Sequence, residues 1–125
     1  MATFGVVVGE RTPEGREEFL RYYKAAIEVP SPAVTSIEQI SKELNVFLVV
    51  GVIEREGGTL YCTAVFVDPA QGYVGKHRKL APTAMERLLW GQGDASTLTV
   101  LDTTFPKAKE TDPSINAKIS ATICW

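Results

Sequence analysis

Side chains suited to redox and metal chemistry are scarce in this sequence: its 125 residues include two cysteines, one histidine and two methionines. Two cysteines, Cys62 and Cys124, permit at most one bridge, so no disulfide framework can hold the fold, and in a reducing compartment no bridge is expected. A single histidine, His77, supplies at most one member of a Ser-His or Cys-His arrangement, and no His/Cys/Asp cluster has metal-ligand spacing. Gly91-Gln92-Gly93 is too short for a dinucleotide fingerprint and has no strand directly before it. No cofactor is expected. Long apolar runs are also missing: the longest, Val46 to Ile53, falls far below the ~20 residues a membrane helix needs. Met1 to Val8 has neither the basic start nor the cleavage pattern of a signal peptide, so a cytoplasmic location is expected. Excess basic charge is absent too, and a formal net charge of -2 gives no electrostatic case for nucleic acid or an anionic membrane surface.

What is present fits one globular α/β domain. Apolar residues make up 45% of the chain, enough for a core if the chain folds compactly. Glu14 to Ile27 places Phe19, Tyr22, Tyr23, Ala26 and Ile27 at roughly helical spacing, and Val29-Pro30 ends that helix, because a residue before proline avoids the α region. A second helix is predicted with Ser31 as cap, Pro32 in its first turn, a Val34, Ile37, Ile40, Leu44 stripe and Asn45 as its stop. Phe47 to Ile53 is a continuous β-branched run, and Glu56-Gly57-Gly58-Thr59 turns it into Tyr61 to Val67, a hairpin. Asp68 to Gly72 makes the next turn, Pro82 starts a short helix through Leu89, and Ser96 to Leu101 and Ile119 to Ile123 read as strands. Asp102 to Asn116 is a polar segment longer than the median ~4 to 6 residue connection, and reads as a surface loop.

Two segments concentrate the chemistry. One is Gly75-Lys76-His77-Arg78-Lys79-Leu80-Ala81-Pro82-Thr83, followed by Glu86-Arg87 and Trp90-Gly91-Gln92-Gly93-Asp94. The other is the β-leaning run Ala117 to Ile123, which delivers Cys124 and Trp125. A rigid strand ending in a thiol is a common way to present a nucleophile. Taken as isolated residues, Cys124 would be a small buried hydrophobe, Lys79 part of a solvated basic turn, and Glu86 a carboxylate favouring a helix start.

In combination, His77 to Thr83, Glu86 to Asp94 and Ile123-Cys124-Trp125 resemble the nitrilase branch of the carbon-nitrogen hydrolases. The resemblance extends through Arg11 to Phe19 and Gly57 to Cys62, and so covers nearly the whole chain. It implies part of a four-layer αββα sandwich. It also implies that Cys124 is the nucleophile, that Lys79 stabilises the tetrahedral intermediate, and that Glu86 supports proton handling and positions the lysine. Trp125 in this context favours nitrile over amide substrates. Lys76 and Arg78 are expected at the surface or in structural roles, Cys62 in the core, and the glycines of the Trp90 to Asp94 segment at backbone conformations other residues avoid.

Family members carry a further catalytic Glu on a segment before the stretch corresponding to Phe4 to Gly9, and continue past the nucleophile through more strands and helices. The resemblance therefore implies that residues 1–125 form a partial domain lacking both, with Glu10 no substitute for the missing Glu. The implied activity is hydrolysis of a small-molecule nitrile to carboxylate and ammonia through a cysteine thioimidate. Cyanide hydration to an amide, or a catalytically inactive fragment serving as an interaction module, are the alternatives. Homo-oligomerisation is implied for the full-length parent, because these enzymes commonly assemble through surfaces of their sandwiches.

Overall fold

The computed structural model describes residues 10–103, 112 and 117–123. Helix α1 (Pro13–Ala25) starts where Thr12 sits in an extended conformation and its Oγ1 accepts the Gly15 N–H at 3.2 Å, with Pro13 in the first turn. The helix ends at Ala25, two residues before the predicted end, because Ile27 is recruited by the sheet. Ile27 N donates to Ile53 O at 2.9 Å and Arg55 N donates to Ile27 O at 2.7 Å. A buried backbone must spend its donors somewhere, and here a strand edge competes successfully with one more helical turn.

Helix α2 (Pro32–Leu44) begins with Pro32 in its first turn and ends at Asn45, which adopts the left-handed conformation at φ 53°. Ser31 holds the cap position, but its side chain makes no capping bond. The predicted stripe is rotated. Val34 and Ser41 are buried, whereas Ile40 and Leu44 are exposed. The inward face carries polar groups because they serve the neighbouring backbone: Ser41 Oγ donates to Val46 O at 2.7 Å, and Glu38 Oε1 accepts Tyr73 N at 2.7 Å.

Strands β1 (Leu48–Glu56), β2 (Thr59–Asp68) and β3 (Gly72–Arg78) form an antiparallel sheet in the order β1-β2-β3. The predicted hairpin is present, in register from Leu48↔Val67 to Glu56↔Thr59, with Gly57 at φ 57° in its turn. The central strand carries the core: Thr63 through Asp68 are all buried, and α2 packs against β2 and β3. The turn into β3 is fixed by Asp68 Oδ1, which accepts the N–H groups of Ala70 at 2.8 Å and Gln71 at 3.0 Å. A register shift between Phe66 and Val67 leaves Val74 unpaired in the β2–β3 ladder.

Strand β3 itself was not predicted. Its second half, Gly75-Lys76-His77-Arg78, has no alternation of apolar and polar residues, and is held in the sheet because its charges are matched from elsewhere. Glu54 on β1 is 1% exposed. It accepts Arg78 Nε at 2.9 Å and Nη2 at 2.6 Å, Thr63 Oγ1 at 2.8 Å, and Lys76 Nζ. Arg78 also pairs with Glu56 at 2.9 Å and stacks 3.9 Å from the Tyr61 ring centroid.

Farther along, the predicted Ser96 to Leu101 strand is replaced by a 3-10 turn (Ala95–Thr97) and then β4 (Leu101–Thr103), which pairs antiparallel with β5 (Ala117–Ile119). Asp94 Oδ1 accepts Ser96 N at 2.9 Å and so draws the chain into the turn. The Pro82 helix is a 3-10 helix over Ala84–Leu88, and of the predicted Ile119 to Ile123 strand only Ile119 is strand, as the last residue of β5. Of the predicted 102–116 loop, Asp102 and Thr103 belong to β4, while 104–111 and 113–116 lie outside the described residues. No described helix is long and apolar enough to cross a membrane.

Burial opposes ionisation of Glu54, but the bonds from Arg78, Lys76 and Thr63 outweigh it and bring the carboxyl down to about 2. A carboxyl lowered on folding contributes stability above its unfolded pKa and loses it as pH falls through the folded value. Glu54→Gln is expected to cost about 2–4 kcal/mol at neutral pH, because it takes the buried carboxylate away from the partly buried Lys76 and leaves Arg78 with Glu56 alone. Denaturant titrations from pH 5 to pH 2 should show the wild-type chain losing more stability than the variant; parallel curves would remove Glu54 from this role.

Candidate active site

Lys79 follows β3 directly and continues its ladder. Its N–H donates to Cys62 O at 2.8 Å, and its carbonyl accepts Gly93 N at 2.9 Å, so the backbone is held from both sides. The segment that holds it, Trp90 to Gly93, lies along the end of β2, where Gly91 N donates to Leu60 O at 2.8 Å. This placement revises the role of the glycines. Neither Gly91 nor Gly93 is among the positive-φ residues; both are required by close approach. A Cβ on Gly91 would stand 2.7 Å from Thr59 Cγ2, and one on Gly93 only 2.6 Å from Arg78 O.

The Lys79 side chain is 3% exposed, and its Nζ lies 2.6 Å from Glu86 Oε2. The 3-10 helix puts that carboxylate in place. Thr83, extended at φ -110° and ψ 148°, precedes the helix, and Ala84 turns sharply at φ 46°, a conformation that side-chain-bearing residues rarely adopt. Glu86 N donates to Thr83 O at 3.0 Å, while Thr83 N and Oγ1 donate to Glu86 Oε2 at 2.8 and 2.9 Å. Lys79 Nζ also reaches Thr83 Oγ1 at 3.3 Å. Burial raises the Glu86 carboxyl, but the Lys79 ammonium and the Thr83 amide and hydroxyl outweigh it and hold it below the usual range.

The cations of β3 and of the residue after it are thus sorted among carboxylates, with Glu56 a further partner of Arg78. Lys76 and Arg78 share Glu54, whereas Lys79 belongs to Glu86. His77, between them, is buried, and its Nδ1 lies 3.2 Å from Thr97 O. The expectation for Lys76 and Arg78 resolves as a structural ion-pair network.

Cys62 is half-buried and lies beside the Lys79 and Glu86 charges. Burial raises its thiol, the Lys79 charge counteracts this, and Glu86 adds to the rise. From α1, Tyr22 reaches the same neighbourhood. Burial pushes its phenol up to about 12 against the Trp90 indole, whose N–H donates to the phenol oxygen at 2.9 Å, while Cys62 and Glu86 add to the rise. Sequence reasoning passed over Tyr22 and gave Cys62 no more than a core role. No local motif marks a helix residue that arrives by tertiary packing, whereas the Thr83-x-x-Glu86 spacing is itself a capping signature. Of the three predicted site residues, the structure brings together Lys79 and Glu86; Cys124 and Trp125 lie outside the described residues.

A family model described as carbon-nitrogen hydrolase matches residues 2–125. The chain belongs to the carbon-nitrogen hydrolase family. It is 71% identical over 125 residues to an arylacetonitrilase of Trametes versicolor, and 48% identical over 124 residues to a bifunctional nitrilase/nitrile hydratase of Nicotiana tabacum. It is also 47% identical over 122 residues to nitrilase 2 of Arabidopsis thaliana. These matches cover 100%, 99% and 98% of this chain, but 39%, 32% and 33% of the relatives. The mixed helices and partial sheets are those of an α/β carbon-nitrogen hydrolase fold represented in part.

In this carbon-nitrogen hydrolase segment, Gly93 should be the least replaceable of its tight glycines. Gly93→Ala must displace backbone oxygen atoms of Arg78 and Lys79, at an expected cost of about 1–3 kcal/mol. Gly58→Ala, which meets nothing within 4 Å, should stay within about 0.5 kcal/mol. Equal unfolding midpoints for the two variants would contradict the close-approach account.

Proposed function

We propose that this chain supplies the lysine, the supporting glutamate and the nucleophilic cysteine of a nitrile-hydrolysing enzyme. The observation that carries the reading is the buried Lys79 ammonium, held 2.6 Å from Glu86 Oε2 beside the Thr83 hydroxyl. The names of the relatives, arylacetonitrilase and nitrilase, support the substrate class.

In this reading the Cys124 thiolate attacks the nitrile carbon, one C–N π bond breaks, and the nitrogen takes a proton to give a thioimidate. Water adds to that carbon and forms a tetrahedral intermediate. Loss of ammonia leaves a thioester, and a second water releases the carboxylic acid and restores the thiol. One nitrile and two waters give one acid and one ammonia. The Lys79 ammonium donates toward the developing negative charge, a contribution worth several kcal/mol in a water-poor site. Glu86 keeps that ammonium oriented and serves proton transfer.

A second reading differs at one branch. If the C–S bond of the tetrahedral intermediate breaks before the C–N bond, the product is an amide, as in cyanide hydration. The relatives named as bifunctional nitrilase/nitrile hydratase favour carrying this outcome. The third reading is an inactive interaction module.

A chimera in which this chain replaces the matching segment of the Trametes versicolor arylacetonitrilase tests all three. It is expected to release ammonia from phenylacetonitrile. Cys124→Ala should abolish release and Lys79→Ala should lower it at least a hundredfold. Amide accumulation without ammonia would select the second reading. A folded chimera with no turnover of nitrile or cyanide would sink both enzymatic readings.

A further inference from the structure

We propose that Thr83 is a positioning residue of this site, which fixes one oxygen of Glu86 against Lys79 and leaves the other oxygen for proton exchange. The inference rests on the nitrilase reading for its catalytic consequence, but its geometry stands apart from it. Three donors converge on Glu86 Oε2: Thr83 N at 2.8 Å, Thr83 Oγ1 at 2.9 Å and Lys79 Nζ at 2.6 Å. Among the described residues none donates to Oε1, and the Glu86 side chain retains 23% exposure. The carboxylate is therefore asymmetric, with three donors on one oxygen and none among the described residues on the other.

The hydroxyl of Thr83 is used in both directions. It gives its single proton to Glu86 and takes a bond from the Lys79 ammonium at 3.3 Å, so it links the two charges instead of merely capping a turn. A β-branched residue suits the task, because its χ1 is stiff and holds the hydroxyl in one direction. Two bonds from Lys79, to Glu86 and to Thr83, leave one of its three N–H donors without a partner among the described residues. The arrangement thus leaves one lysine N–H and one carboxylate oxygen of the same pair without a partner among the described residues.

The charged and titratable groups around Glu86 are Lys79 beyond β3, Cys62 on β2 and Tyr22 on α1. Cys62 and Tyr22 are both raised, so Lys79 is the group that favours the ionised Glu86 from outside its own turn. Removing the Thr83 hydroxyl takes away one of the three donors on Oε2 and should raise the Glu86 carboxyl toward its ordinary range. It should also let the lysine swing.

The test uses Thr83→Val, which keeps the backbone N–H and the side-chain shape, and Thr83→Ser, which restores the hydroxyl. Both are placed in the chimera described above. Thr83→Val is expected to lower kcat about tenfold with KM nearly unchanged, to move the acidic limb of the pH–rate profile upward, and to raise the Glu86 carboxyl in a carbon-detected NMR titration. Thr83→Ser should recover most of kcat and the original limb. An unchanged pH profile in Thr83→Val, or a serine variant as impaired as the valine one, overturns the proposal. If Thr83→Val does not fold, the wild-type titration and the serine variant decide. A wild-type Glu86 carboxyl at or above the ordinary range, or a serine variant with a shifted acidic limb, overturns it. A chimera without any turnover removes the nitrilase reading, while the carboxyl titration still decides the positioning role.

Discussion

Strand β3 and the residue after it carry Lys76, Arg78 and Lys79, a stretch that can pack into the structure only if each charge meets a carboxylate, and this requirement organises the described structure. Glu54 is supplied from β1 through the hairpin register, and Glu86 from the 3-10 helix that Pro82 and Thr83 introduce. Burying an unpaired cation costs far more than any single apolar contact returns. The hairpin, the turn at Asp68 and the Trp90 to Gly93 segment can therefore be understood as the means of keeping two carboxylates in reach of one strand. The bulge at Val74 belongs to the same logic. By leaving one residue out of the ladder, it sets which β3 side chains share a face with Glu54.

Local signals carried much of this information, and non-local ones did not. The β1–β2 hairpin was legible because Val, Ile and Gly-Gly chemistry is local and unambiguous, and α1 and α2 because proline and cap residues mark their starts. Lys79 and Glu86 were legible through a motif. Strand β3 was not, since its charges are met by Glu54, 22 positions before Lys76 and 24 before Arg78, and no window of Gly-Lys-His-Arg displays that partner. Likewise, the rotation of the α2 stripe follows from Glu38 and Ser41 bonding strand and loop backbone, contacts that apolar periodicity does not encode. The glycines of the Trp90 segment were recognised, but for the wrong reason: their neighbours are backbone oxygens and the Thr59 and Tyr61 side chains. The Ser96 to Leu101 strand failed because Asp94 captured Ser96 first, and a side-chain-to-backbone bond two residues away outcompetes a weak strand preference.

Pairing Lys79 so closely with Glu86 limits how the lysine can act. At several ångströms, an ammonium with a carboxylate 2.6 Å away behaves as a dipole, and its long-range field on an approaching anion is largely cancelled. What survives is short-range: an N–H pointing away from Glu86 still donates a charge-assisted hydrogen bond to a group that comes within about 3 Å. Such a site distinguishes a transition state from a ground state by geometry, because the bond forms only when negative charge develops at the correct position. The opposing pulls on Cys62 make the same point, since the Lys79 charge lowers that thiol while Glu86 raises it. The pair therefore offers orientation more than raw charge. Orientation in turn depends on the rigidity of the Thr83 turn, on the Gly93 contact behind Lys79, and on the ladder bond from Lys79 N to Cys62 O.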